Sequence, residues 1–251
     1  MYYYILHNEL NNERYNKTLV DLHSLINNLG LSGKFYQLSP YSELQNIINK
    51  INITSNDTVC IVGDDSLFTN TINLILKSDL EPIICYLPII NNNVLSKLFD
   101  IPKNIEKSVL ILSKRKIKLL TTAKLDNEYF FINNISFSPT GCNLLIDNKY
   151  NIEYNNENLE KIIILNSTHP DFDIHVDNKK YFNILFLYSK KELLSKKIKI
   201  DSILKAQKIS ITTTTNQQQK LTIDNSLQIN APVSITKGKE IKIIVGKNPI
   251  F

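Results

Sequence analysis

With 251 residues, 43% of them hydrophobic, the chain is long enough to bury a full core and should hold one large domain or two small ones. Its formal charge of +5 is spread along the sequence, which argues against a basic nucleic-acid-binding tail, and no apolar run approaches the roughly 20 residues that span a bilayer. Met1–Leu6 passes at once into polar residues, so no secretory leader is expected and the cytoplasm is the expected location.

Taken in order, Tyr2–Leu6 reads as a strand, and Leu19, Leu22, Leu25, Ile26 and Leu29 then follow helical spacing, with Gly30 placed to cap the helix. Lys34–Leu38 reads as a second strand. Ser42–Ile51 reads as a helix carrying Leu44, Ile47, Ile48 and Ile51 on one face, and Asn56-Asp57 turns the chain into the β-branched run Val59–Val62. Gly63–Ser66 is turn chemistry, after which Leu67, Ile72, Leu74, Ile75 and Leu76 recur at helical intervals. Ile83–Leu87 supplies another strand, Pro88–Pro102 a loop, and Ile105 to about Leu112 a short helix. Strands alternating with helices predict a parallel sheet with right-handed crossovers. The turn at Gly63–Ser66 then lies at the carboxyl end of a strand, where the next helix aims its free N–H groups at a ligand, most often a phosphate.

Beyond residue 116 the texture changes. Ile117–Leu120, Glu128–Ile132, Lys161–Leu165, Phe182–Leu187, Lys208–Thr213, Lys220–Ile223 and Glu240–Val245 are short β-rich runs separated by Asn, Asp and Gly turns. The expectation is an α/β domain over residues 1–115 and an antiparallel β-sandwich or barrel over 116–251.

Other features read as structural. Cys60 and Cys85 fall in predicted buried strands and Cys142 on a loop; three unpaired cysteines make neither a disulfide framework nor a zinc site. His169 and His175 flank Asp171 and Asp173 in a segment that reads as a polar loop rather than a metal cluster. Lys103, Lys107, Lys114, Arg115, Lys116 and Lys118 form one basic cluster, and Lys190, Lys191, Lys196, Lys197 and Lys199 another. Each reads first as a solvated helix face, with an anionic membrane surface or a nucleic-acid backbone as the alternatives. Thr212–Gln219 reads as a polar loop.

Several motifs at fixed register resemble the diacylglycerol kinase catalytic-domain family of lipid kinases. Gly63-Asp64-Asp65-Ser66-Leu67 resembles the family's Gly-Gly-Asp-Gly-Thr turn, matching at Gly63 and Asp65, with Asn73 on the final Asn of the helix that follows. Pro88–Pro102 aligns without a gap to Pro-Leu-Gly-Thr-Gly-Asn-Asp-Phe-Ala-Arg-x-Leu-Gly-Ile-Pro, with identities at Pro88, Asn93, Ile101 and Pro102; Ile90-Asn91-Asn92 stands where the family has Gly-Thr-Gly. Asn8 matches the Asn that closes the family's first strand. Phe131–Ser138 resembles its Phe-x-Asn-x-x-Ser-x-Gly element, and Ile223-Asp224-Asn225-Ser226 its Ile-Asp-Gly-Glu, with Ser226 in place of Glu.

The resemblance implies an ATP- and Mg²⁺-dependent phosphotransferase fold. In it Asp65 and Asp224 are the catalytic candidates, and Asn8, Gly63, Asp64, Ser66, Pro88, Asn91, Asn92 and Asn93 bind the nucleotide. A lipid or anionic membrane surface is the implied partner, with peripheral membrane association and a homodimer as further options and no nucleic acid. Asp64-Asp65 supply no complete metal shell, so no metal ligand is assigned. The departures predict weak or absent catalysis, because Asp64 sets a carboxylate beside the phosphate site, where two unit charges about 4 Å apart repel by ~1 kcal/mol in water. The alternatives are a non-catalytic binding or regulatory relative and, more remotely, a NAD kinase-like protein.

Overall fold

The computed structural model describes residues 1–39, 43–90, 94–126, 129–152, 159–169, 172, 174, 176–192, 195–213 and 219–251. The chain divides into two compact units, Met1–Leu120 with Glu240–Phe251, and Thr121–Lys239.

In the first unit, β1 (Tyr2–Leu6) runs parallel to β2 (Gly33–Gln37) on one side and to β3 (Thr58–Gly63) on the other; β3 in turn pairs with β4 (Ile83–Pro88). Every residue of β3 and β4 is buried, as parallel strands covered on both faces require. The helices α1 (Asn16–Asn28), α2 (Leu44–Lys50), α3 (Asp65–Lys77), α4 (Val94–Leu98) and α5 (Ile105–Lys114) complete the alternation. Leu22 and Ile26 of α1 and Val109 and Leu112 of α5 share one core with Tyr4, Cys60 and Cys85. Each such fully buried Leu or Ile contributes about 1.5–3 kcal/mol. Gly30, φ +66°, ends α1 as its position predicted. The loop expected at Pro88–Pro102 contains α4, whose entry is stabilised from outside its own sequence.

In the second unit the strands are β5 (Ile117–Leu125), whose first residues belong to the first unit, then β6 (Phe130–Phe131), β7 (Asn134–Phe137), β8 (Cys142–Ile146) and β9 (Tyr150–Ile152). There follow β10 (Leu159–Leu165), β11 (Phe182–Glu192), β12 (Ser195–Ala206), β13 (Ile209–Thr213), β14 (Lys220–Ile223), β15 (Leu227–Asn230) and β16 (Val233–Ile244). One antiparallel layer has the order β12-β11-β10-β7-β14-β15, and β9, β8, β13 and the start of β16 form the other. The two layers bury a common core: Ile162, Ile164, Phe182 and Ile184 from one meet Leu144, Ile209, Ile211 and Ile235 from the other. This is a β-sandwich. Alternation along β10 sends Ile163 and Leu165 to the opposite face, which Phe172, Ile174 and Val176 cover.

Three expectations need correction. The lysines at 190–199 lie on the β11–β12 hairpin and not on a helix, because Ile198 and Ile200 alternate with Lys199 at period two and pair with Ser189 and Leu187. Cys142 sits buried in β8 rather than on a loop, and burial raises its thiol to about 11. The last strand returns to the first unit: Lys242 and Ile243 of β16 pair in parallel with Ile83 and Ile84 of β4.

Candidate functional site

The carboxyl ends of β1, β3 and β4 meet. His7 donates its backbone N–H to the Val62 carbonyl at 2.9 Å, Gly63 pairs with Pro88 across the sheet, and Ile90 donates to the Gly63 carbonyl at 3.2 Å. A Cβ on Gly63 would stand 2.8 Å from the Cβ of His7, so glycine is what lets these two segments close.

Asp64 caps α3. Its backbone is extended, and its Oδ1 accepts the N–H of Leu67 at 2.8 Å, the usual N-cap bond, which stabilises a helix by about 1 kcal/mol. His7 Nε2 lies 3.8 Å from the same oxygen, while His7 Nδ1 accepts the Glu9 N–H at 3.1 Å. The helix end that should receive a phosphate already holds a carboxylate of this chain.

Asp65 faces inward. Its Oδ1 accepts the Tyr86 hydroxyl at 2.8 Å, and its Oδ2 accepts the N–H groups of Val94 at 2.6 Å and Leu95 at 3.2 Å. One buried carboxylate thus starts α4 and fastens it to α3 and β4. Burial raises the Tyr86 hydroxyl pKa well above its ordinary value, and the Asp65 charge adds to the shift. His7 and Tyr86 carried no sequence signal. The Asp64 cap did carry one, an Asp immediately before a helical apolar pattern.

Asn8 and Ser66 line one small cavity of about 240 Å³ together with His7, Leu67 and Asn70. The structure therefore gathers Asn8, Gly63, Asp64, Asp65, Ser66 and Pro88 at one sheet edge. Asn91, Asn92 and Asn93 lie outside the described residues, as do Asp171, Asp173 and His175; His169 packs on Phe172 at 5.0 Å between ring centroids.

Asp224 belongs to the second unit and serves its backbone. Oδ2 accepts the N–H of Ile132 at 2.9 Å, and Oδ1 accepts those of Asn133 at 2.8 Å and Asn134 at 2.9 Å. The two motifs that resemble the family, some 90 residues apart, are one structural clamp. Burial raises the Asp224 carboxyl to about 6 against the opposing pull of these three amides. Nearby in sequence, Lys237 donates to Asn166 Oδ1 at 2.8 Å and to the Tyr181 carbonyl at 3.0 Å, with its ammonium 3.8 Å from the Phe182 ring centroid. Burial lowers it to about 7, partly offset by Asp177.

The donors at the α3 turn do not fit a Mg²⁺-bound triphosphate. Asp64 brings negative charge and uses the Leu67 amide, and both oxygens of Asp65 are committed to Tyr86, Val94 and Leu95. Among the described residues no group of three or more His, Cys, Asp or Glu could hold a metal ion.

A parallel α/β unit with a strand–turn–helix edge and an antiparallel β-sandwich unit define the class: two-unit proteins of mixed α/β fold. Residues 2–125 match the family described as Diacylglycerol kinase catalytic domain. Through this stretch, just under half of the chain, the sequence is similar to that family. In fold it is similar to a diacylglycerol kinase from Bacillus anthracis str. Sterne, at a TM-score of 0.72 and 14% identity, over 99% of this chain and 98% of that one. Two further solved structures from the same organism match at TM-scores of 0.71 and 0.72, with 14% and 13% identity, over 97% and 98% of this chain and 97% and 96% of theirs. No curated protein matches. Among the described residues, no helix is long and apolar enough to cross a membrane.

Proposed function

We propose that this diacylglycerol kinase-like protein keeps the lipid-kinase body but transfers phosphate from ATP weakly or not at all. The observation that carries the reading is Asp64: a carboxylate bonded to the Leu67 amide occupies the helix end at which a relative with glycine there would seat a phosphate. Phosphoryl transfer depends on positioning and charge neutralisation, and a fixed negative charge opposes both. The commitment of Asp65 to Tyr86 and to the α4 amides supports the same reading, since that carboxylate holds the scaffold together. In this account Asp224 positions the Ile132–Asn134 backbone rather than touching the reacting groups.

The test is transfer of labelled phosphate from Mg²⁺-ATP to diacylglycerol in mixed micelles and to a total lipid extract. The expected result is turnover at or near background. Robust Mg²⁺-dependent turnover by the unmodified protein would overturn the reading and restore an active ATP-dependent lipid kinase.

A further inference from the structure

Four lysines of the first basic cluster, Lys103, Lys107, Lys114 and Lys116, border a cavity. Within the first unit, α4, α5 and the stretch Val245–Lys247 enclose about 1180 Å³, the size of a site for a drug-sized ligand or a larger one. None of its lining residues is shared with the small cavity at Asn8 and Ser66. One wall is set by backbone pairing. Val245 donates to the Lys116 carbonyl at 2.9 Å and Gly246 to the Phe99 carbonyl at 2.9 Å, and a Cβ on Gly246 would stand 1.9 Å from the Asp100 carbonyl oxygen. Only glycine admits so close an approach.

Six ammonium groups line this cavity, those of Lys97, Lys103, Lys107, Lys114, Lys116 and Lys247, against the single carboxylate of Asp100. One oxygen of that carboxylate accepts the Asn248 N–H at 2.8 Å, and the Lys116 ammonium donates to the Lys247 carbonyl at 2.7 Å. Six like charges around a concavity repel one another and focus a positive field into it, which an anion relieves. The remaining lining is mostly aliphatic, and of it Leu110 and Ile111 present apolar surface, with Ile101 and Val245 almost fully buried behind them. Among the described residues that line it none is aromatic, so there is no platform on which a nucleic-acid base would stack. Phosphate beside aliphatic surface is the chemistry that matches both halves.

We propose that this cavity binds an amphipathic phosphate, a phosphate group joined to an alkyl or acyl chain, with the lysines holding the phosphate and Leu110 and Ile111 receiving the chain. The site is separate from the α3 turn, and its occupancy does not depend on whether the protein transfers phosphate.

The experiment is calorimetric titration of the full chain, without nucleotide, with octyl phosphate below its micelle-forming concentration, with inorganic phosphate, and with octyl glucoside, which has a similar chain and no charge. Octyl phosphate should bind at one site per chain and at least about tenfold more tightly than either control: over inorganic phosphate, a gain that two or three buried methylenes supply, and over octyl glucoside, a gain that comes from the phosphate charge among the lysines. The double variant Lys107→Glu, Lys114→Glu should weaken it at least about tenfold, and Leu110→Ser should reduce only its advantage over inorganic phosphate. Lys149→Glu, an exposed site in the second unit, should change nothing. Thermal melts of each variant verify folding, since Lys107, Lys114 and Leu110 are exposed. Displacement of octyl phosphate by vesicles containing phosphatidate would support a bilayer source, and its retention a soluble one. Binding no tighter than that of inorganic phosphate, equal weakening by Lys149→Glu, or sedimentation with anionic vesicles without any binding of monomeric octyl phosphate would overturn the proposal; the last outcome would make the cluster a general membrane contact. Failure here leaves the phosphate-transfer result untouched, and the converse also holds.

Discussion

Replacing Asp64 separates the two roles of its carboxylate, helix cap and fixed negative charge. Asp64→Asn keeps a capping oxygen for the Leu67 amide but removes the charge; Asp64→Gly removes both and restores the backbone freedom of a glycine turn. The cap contributes little to the difference, since Asp to Gly at an N-cap costs only a few tenths of a kcal/mol. The charge contributes more. At about 4 Å, two unit charges repel by ~1 kcal/mol in bulk water and ~4 kcal/mol near a protein surface. The Asp64 side chain is 23% exposed, so solvent screens it substantially and a relief of about 1–2 kcal/mol is expected, or about 5- to 30-fold in nucleotide affinity. The assay is titration of a fluorescent ATP analogue with and without Mg²⁺, at two salt concentrations, on the parent and both variants. Both variants should gain affinity, and the gain should shrink at high salt. If folded Asp64→Asn binds no better than the parent, the charge is not what weakens the phosphate seat and the electrostatic reasoning fails.

Asp65→Ala should lower the unfolding free energy by about 2–4 kcal/mol in urea titration, because it removes the carboxylate that accepts from the buried Tyr86 hydroxyl and two α4 amides; Tyr86→Phe should cost less, about 1 kcal/mol, and equal losses would argue against this wiring. Asp224 yields a pH prediction: its folded-state pKa, about 6, lies above the ordinary 3.8, so its favourable contribution is fully present below about 3.8 and lost as pH rises through about 6. The stability advantage of the parent over Asp224→Asn should therefore fall by about 3 kcal/mol between pH 3 and pH 7, and denaturant unfolding at a series of pH values that shows no such fall would refute the assignment. Gly246→Ala forces a Cβ against the Asp100 carbonyl and should lower the melting temperature by several degrees, whereas Gly30→Asn, at a positive-φ position with open space, should be nearly neutral.

The amino-acid sequence by itself determined the elements whose signals are local. Leu19–Leu29 announces α1 through its 3.6-residue period, Val59–Val62 and Ile83–Leu87 announce β3 and β4 as uninterrupted apolar runs, and Gly63 and Asp65 mark the turn by type and spacing. Such signals act between residues a few positions apart, where propensity, capping and turn chemistry decide the outcome. Tertiary structure alone decided what the carboxylates do. Asp65 meets Tyr86, Val94 and Leu95, 21 to 30 positions on, and Asp224 meets Ile132, Asn133 and Asn134, 90 to 92 positions back. A sequence motif marks such a residue but does not show which donors surround it, because those are fixed by chain segments that come together only when the sheets pack. The same reason explains the lysines: the cluster at 190–199 is a hairpin because β11 offers it a pairing partner, and Lys103, Lys107, Lys114 and Lys116 border a cavity because Val245–Lys247 returns to close one wall.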